Sequence, residues 1–178
     1  MPVFHAAITA APDYWERRDA YRQSHLERIV GLRGQGLVIG GGPTPDGSAA
    51  DIFYRVGQPG DVIPLIEGDP YYLGKVWAAY TLSAFSQFIE PWELPPVVLD
   101  GSRRVTLVEG QAPEVDMATF ALIELRGAGR MAFGGFFQHG ATLALMRAPD
   151  ASEALAWLGE TGFWSEGTLT ARSLLHVL

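Results

Sequence analysis

The sequence has no cysteine among its 178 residues. That removes disulfides, thiol nucleophiles and thiolate-bound zinc together, and leaves the compartment open. Basic residues are scarce, 13 Lys and Arg against 20 Asp and Glu, for a formal net charge of −7. Phosphate backbones and anionic bilayers both need a basic face, so neither nucleic acid nor a membrane is expected as a partner. No apolar run approaches the roughly 18 residues of a membrane span. The opening "MPVFHAAITAAPDYW" lacks a basic n-region and reaches Asp13 before a long apolar stretch builds. A signal peptide is not expected, and the default localisation is cytoplasmic.

What is present is a folding composition. Hydrophobic residues make up 48% of the chain and charged residues 19%, which suits a packed core and argues against disorder. The length fits one ordinary domain or two small units fused together.

Along the chain, "VFHAAITA" (3–10) reads as a first strand. A helix follows, with Asp13 at the N-cap position, Glu16 three residues on as in a capping box, and a pattern running to about Leu32. "LVIGG" is a buried-type strand, "GPTPDGS" is turn chemistry, and "ADIFYRV" is a third strand. A short helix carrying Pro64 ends near Gly68, and "KVWAAYTLSAFSQFI" is a long fourth strand. The order is βαββαβ, the ferredoxin-like plan of an α+β fold.

"EPWELPP" (90–96) closes this unit with three prolines in seven residues. Beyond it, "VVLDGSRRVTLVE" reads as a hairpin around Asp100 and Gly101. "ATFALIEL", "MAFGGFF" and "ATLALMR" read as strands, with "RGAG" joining the first two directly. "PDASEALAWLGE" is a helix capped by Asp150 with Glu153 three residues on, and "TLTARSLLHVL" is a closing strand. Residues 50–72 match 141–164 in element order, which indicates an internal repeat. The expected organisation is therefore a ferredoxin-like domain over 1–95 and a degenerate copy over 96–178. The copy lacks its first helix and packs on the first as a pseudo-dimer.

The first helix carries an unusual stripe. At 100° per residue, Tyr14, Trp15, Tyr21, Leu26, Ile29 and Leu32 share one arc. Arg18, Arg22 and His25 lie inside that arc, at spacings of four and three. The two arginines can reach the rim on their long stems. His25 is too short for that, so its ring N–H needs a partner.

"RQSHLERIVGLRGQGLVIGGGP" and "GDPYYLGKVW" together resemble the YCII-related family, over about residues 3 to 95. In that pattern an Arg precedes His-Leu by three residues, and an Asp-Pro-aromatic segment precedes the last strand. The resemblance implies a dimeric α+β barrel with a His–Asp pair at its cleft, His25 and Asp69 here. A lone base with an arginine anchor leads to the expectation of acid–base catalysis without cofactor, of the lyase or isomerase type, on a compact anionic or aromatic metabolite. Asp69 would orient His25, and the free ring nitrogen would move a proton. Arg22, Arg18 and Tyr71 are the candidate substrate contacts. A small-molecule ligand and a possible homodimer complete the expectation. Other members of the superfamily bind haem or are cofactor-free oxygenases.

Two bland alternatives stand beside this. Asp-Pro commonly opens turns, and a His–Asp hydrogen bond can simply tie two helices together. The same cleft can also bind a metabolite without turning it over. The second half has Thr161 where the repeat places the Asp69 equivalent, so one such site per chain is expected. Phe136, Phe137, Phe163 and Trp164 read as core before they read as cleft lining.

Three weaker signals are set aside. Gly127-x-Gly129-x-x-Ala132 echoes a dinucleotide fingerprint, but a strand-like segment follows where that fingerprint needs a helix. "IGGGP" has no Lys-Ser/Thr after it and is no phosphate loop. His5, His139 and His176 make no close metal-ligand spacing, although His5 and His25 could converge in space around a haem or metal.

Overall fold

The structure is a computed structural model, and residues 1–89, 96–137, 141–148, 150–165 and 167–175 are described. The chain divides into two compact units. The described residues of the first are 1–84, 96–102 and 175; those of the second fall within 85–89 and 103–174.

In the first unit β1 (Val3–Ala10), α1 (Tyr14–Gly34), β2 (Val38–Pro43) and β3 (Ala49–Arg55) follow in order. Two short helices, α2 (Ile63–Glu67) and α3 (Pro70–Leu73), precede β4 (Trp77–Ile89). The sheet order is β2-β3-β1-β4, with β1 and β2 both antiparallel to β3. Strand alternation puts Phe4, Ala6, Ile8, Ala50, Ile52 and Tyr54 in one buried cluster with Ile29, Leu32, Ile66 and Tyr71. The ferredoxin-like expectation for this unit holds.

One local expectation is corrected. Asp13 stands at the N-cap of α1 but makes no cap bond, and there is no capping box with Glu16. Its carboxylate pairs instead with Arg17 Nε at 2.5 Å, one helical turn on. Between Gly68 and β4 lies an element that the sequence pattern left unassigned. Asp69 starts a further helical turn, accepting a hydrogen bond from Tyr71 N at 2.8 Å, and Pro70 takes the first helical position.

The second unit holds β5 (Arg104–Gln111), α4 (Val115–Gly127), β6 (Met131–Phe137), β7 (Ala141–Met146), α5 (Ala151–Gly159) and β8 (Thr170–Leu175). Its strands run β6-β7-β5-β8, the far end of β4 pairing with β6 from Phe85 onward. Written by position in each unit, both sheets have the order second, third, first, fourth. The second copy is thus a full βαββαβ unit.

The expected loss of its first helix is overturned. "ATFALIEL" belongs to α4, where Ala118, Ala121, Leu122 and Leu125 are buried at spacings of three, four and seven. Its Ala, Leu and Glu are strong helix formers, so propensity and spacing agree. "RGAG" is the end of that helix, not a hairpin. Both first helices share it: Leu32-Arg33-Gly34-Gln35-Gly36 matches Leu125-Arg126-Gly127-Ala128-Gly129. Gly36 and Gly129 take the left-handed conformation (φ 73° and 74°). The residue after each returns its N–H to the leucine carbonyl, 37 to 32 and 130 to 125. Of the proposed hairpin near Asp100, only the turn exists. Ser102 N donates to Asp100 Oδ1 at 2.9 Å, while 97–99 form no strand and β5 pairs with β7. Three residues between a proline and a turn are too few to make a ladder.

The cap of α5 is as expected, Glu153 N donating to Asp150 Oδ1 at 2.9 Å. Phe136 and Trp164 belong to the core of the second unit, with Phe163 packed against it. Residues 90–95 of the proline-rich segment, His139 and His176 lie outside the described residues.

Candidate functional site

The polar stripe of α1 lies over a cavity of about 260 Å³ within the first unit. Arg18, Arg22, His25, Leu26 and Ile29 line it from the helix, and Ile8, Ala50 and Ile52 line it from the sheet. Tyr14, Tyr71, Trp77 and the β2–β3 turn at Pro43 and Gly47 complete most of the wall. All five candidate residues of the sequence reading converge here, four as cavity lining and Asp69 immediately behind His25.

His25 Nδ1 lies 2.8 Å from Asp69 Oδ1. An ionised carboxylate only accepts, so Nδ1 is the donor in this bond and Nε2 is the ring nitrogen that the bond leaves open. The imidazole side chain is 13% exposed and the carboxylate 1%. Tyr71 stacks on the imidazole, with ring centroids 3.9 Å apart and planes 9° from parallel. Trp77 meets its edge at 5.4 Å. The ring is thereby fixed on one face, on one edge and at one nitrogen.

The same Asp69 oxygen that takes His25 also takes Tyr71 N. Local chain geometry thus aims the carboxylate, since an N-cap side chain reaches back to its own helix. Sequence spacing of 44 residues is closed by α1 packing on α3.

Cationic groups gather on the cavity side. Arg18 sits over the Trp15 ring at 4.6 Å, and Arg22 is exposed with no ion pair among the described residues. Burial pushes the Tyr71 hydroxyl well above the ordinary tyrosine range, with Tyr14 adding to the rise and Arg18 and Arg22 opposing it. Tyr71 is therefore a neutral hydrogen-bonding phenol at physiological pH. Two guanidiniums, a phenol and an imidazole nitrogen can hold an anionic group and move a proton beside it.

His5 does not converge with His25. It lies on the opposite face of β1 from Phe4, Ala6 and Ile8, with Nε2 2.7 Å from Asp51 Oδ1 and its ring stacked on Phe53. Register makes this pair: His5 faces Phe53, and Asp51 stands two residues along the same face of β3. The sequence reading missed it, as it missed Tyr14, Trp77 and Gly47 as cavity wall. No cluster of three or more His, Asp or Glu able to hold a metal occurs among the described residues. No helix among them is long and apolar enough to cross a membrane.

No family model matches the sequence, and no curated protein matches it. Solved structures match over nearly the whole chain. A proposed monooxygenase from Fusobacterium nucleatum is similar with a TM-score of 0.63 at 8% identity, covering 99% of this chain and 93% of its own. A second proposed monooxygenase, from Lactobacillus acidophilus, gives 0.60 at 11% identity, covering 99% and 94%. A haem-binding protein from Thermus thermophilus gives 0.52 at 11% identity, covering 97% and 90%. The fold is that of the dimeric α+β barrel proteins. At these identities the likeness speaks for the fold alone, and the chemistry rests on the site.

Proposed function

We propose that the protein is a small-molecule enzyme of the lyase or isomerase type, working by acid–base chemistry on protein groups alone. His25 is the base, Asp69 its orienting carboxylate, and Arg18, Arg22 and Tyr71 the substrate contacts. The observation that carries this reading is the 2.8 Å His25–Asp69 bond at the wall of a cavity flanked by two arginines. The paired segments "RQSHLERIV" and "GDPYYLG", which resemble the YCII-related pattern, supply Arg22, His25, Asp69 and Tyr71.

In this reading a substrate carboxylate or phenolate lies between Arg18 and Arg22, which fixes its orientation. His25 Nε2 takes a proton from a neighbouring carbon or hydroxyl. The electron pair passes into an adjacent carbonyl or expels a leaving group. The imidazolium then returns the proton to the substrate or to the departing group. Asp69 stabilises the transient imidazolium, and the Tyr71 ring face favours the same cation. The cavity volume lies just below the usual range of small-molecule pockets, which suits a compact metabolite.

The test is proton exchange in D2O. Compact aromatic and enolisable carboxylates are incubated with the protein, and loss of C–H signal is followed by NMR. The expected result is exchange for at least one compound, abolished in His25→Ala while binding persists. Binding with no exchange in the wild type would replace the enzyme by a metabolite-binding protein using the same cleft.

A further inference from the structure

Behind the His25–Asp69 pair, three buried polar atoms have no hydrogen-bond partner among the described residues: Asp69 Oδ2, Tyr54 Oη and Arg28 Nε. One is an acceptor and the other two offer donors, so their needs are complementary. Leaving all three unsatisfied in the core is costly, and such groups in folded proteins are joined directly or through an internal water.

Their placement is not accidental. Arg28 follows His25 by three residues, so both side chains leave the same side of α1. Its Nη2 donates to the carbonyls of Pro64 and Leu65 at 3.3 and 3.4 Å, which anchors the guanidinium at the end of α2. Gly68, between that anchor and Asp69, makes room for it. A Cβ there would lie 3.0 Å from Arg28 Nη2 and 2.8 Å from Pro64 O. Tyr54 is fully buried in the same cluster as Ile66 and Tyr71, the residues that bracket Asp69. Burial pushes its hydroxyl far up, the Asp69 charge adds to the rise, and the Arg28 charge opposes it. The other polar neighbours of the pair are accounted for: Arg18, Arg22, Tyr14 and Tyr71 border the cavity, and Glu67 accepts from Tyr80.

We propose that Tyr54 and Arg28 are positioning residues for Asp69, holding its second oxygen through one internal water so that the first stays aimed at His25. The water would accept from the phenol and the guanidinium and donate to Oδ2, which satisfies all three groups. The idea rests on the His25–Asp69 reading and adds to it a second layer of support. With Oδ2 released, the carboxylate could rotate, and the Nδ1–H bond would open more often.

The His25 Nδ1–H proton resonance and its exchange with water read this directly, without any substrate. The resonance should be present in the wild type and lost in Asp69→Ala. In Tyr54→Phe and in Arg28→Ala its exchange should quicken by about tenfold or more. A purely packing role for the Tyr54 ring would leave that rate unchanged in Tyr54→Phe. Should Tyr54→Phe fail to fold, Arg28→Ala at the half-exposed end of the network decides alone. Wild-type exchange rates in the variants that fold would overturn the proposal and leave the His25–Asp69 pair standing. A resonance indifferent to Asp69→Ala would overturn both.

Discussion

The Tyr71 ring lies 3.9 Å from the imidazole of His25 and within 9° of parallel, while the backbone N–H of the same tyrosine holds Asp69 Oδ1 at 2.8 Å. One residue thus fixes both members of the pair, the ring by stacking and the carboxylate by capping. Tyr71→Phe keeps both contacts and should cost under about 1 kcal/mol, while Tyr71→Ala should cost about 3–5 kcal/mol. Thermal unfolding of the two variants separates these outcomes. Equal losses would show that the hydroxyl, not the ring, supports the site.

Tyr71 also sets a limit at high pH. Its hydroxyl titrates above the ordinary tyrosine value of 10.0 because it is buried, so the native state keeps a proton that the unfolded chain releases first. Its contribution is whole below pH 10 and is lost as pH rises through the raised native value. Chemical denaturation from pH 8 to 12 should show stability falling above pH 10, less steeply in Tyr71→Phe. Identical slopes would contradict the assignment.

Arg22 is an exposed cation at the cavity with no ion pair among the described residues. Arg22→Ala should leave stability within about 0.5 kcal/mol of wild type. Binding of an aromatic carboxylate should weaken about tenfold or more, measured by calorimetry. Unchanged affinity would remove Arg22 from the site.

The β2–β3 turn forms part of the cavity wall, and its geometry rests on Asp46. Oδ1 accepts from Thr44 Oγ1 at 2.6 Å, from Ser48 N at 3.0 Å and from Ser48 Oγ at 2.8 Å. The Thr44 and Ser48 hydrogen bonds hold the carboxyl down to about 2, from 3.8. The turn's stabilisation is therefore present above pH 3.8 and fades as pH falls toward 2. Trp15 Nε1 donates to Asp46 O at 3.1 Å, so its indole N–H signal reports on the turn. That signal should shift in this acid window and already be displaced at neutral pH in Asp46→Ala.

Gly47 in the same turn has φ 74°, and a Cβ there would come within 2.7 Å of the Tyr14 ring and 2.9 Å of Trp15. Gly47→Ala should cost about 1–3 kcal/mol and disturb ligand binding together with stability, as a denaturation series and a titration would show.

The first unit was readable because its signals agree. The alternation of 3–10, the polar stripe inside the apolar arc of α1, and Asp-Pro ahead of the last strand all point one way. The second unit was harder at 118–125, where a short apolar run fits a strand or a helix. Only the spacing of Ala118, Ala121, Leu122 and Leu125 decides. His5–Asp51 stayed hidden because it depends on the register of β1 against β3, which no local pattern states. The layer of Tyr54 and Arg28 behind Asp69 is likewise a product of packing, since Tyr54 reads in sequence as one more strand aromatic.

The tautomer of His25 tests the central claim most directly, by nitrogen-15 NMR of the uncharged imidazole, at the alkaline end of its titration, in wild type and Asp69→Ala. The account predicts a proton on Nδ1 and a free Nε2 in the wild type, reverting to the Nε2–H form when the carboxylate is removed. An Nε2–H ring in the wild type, or the same form in both proteins, would contradict it: Asp69 would then be a helix cap alone, and His25 would not be its base.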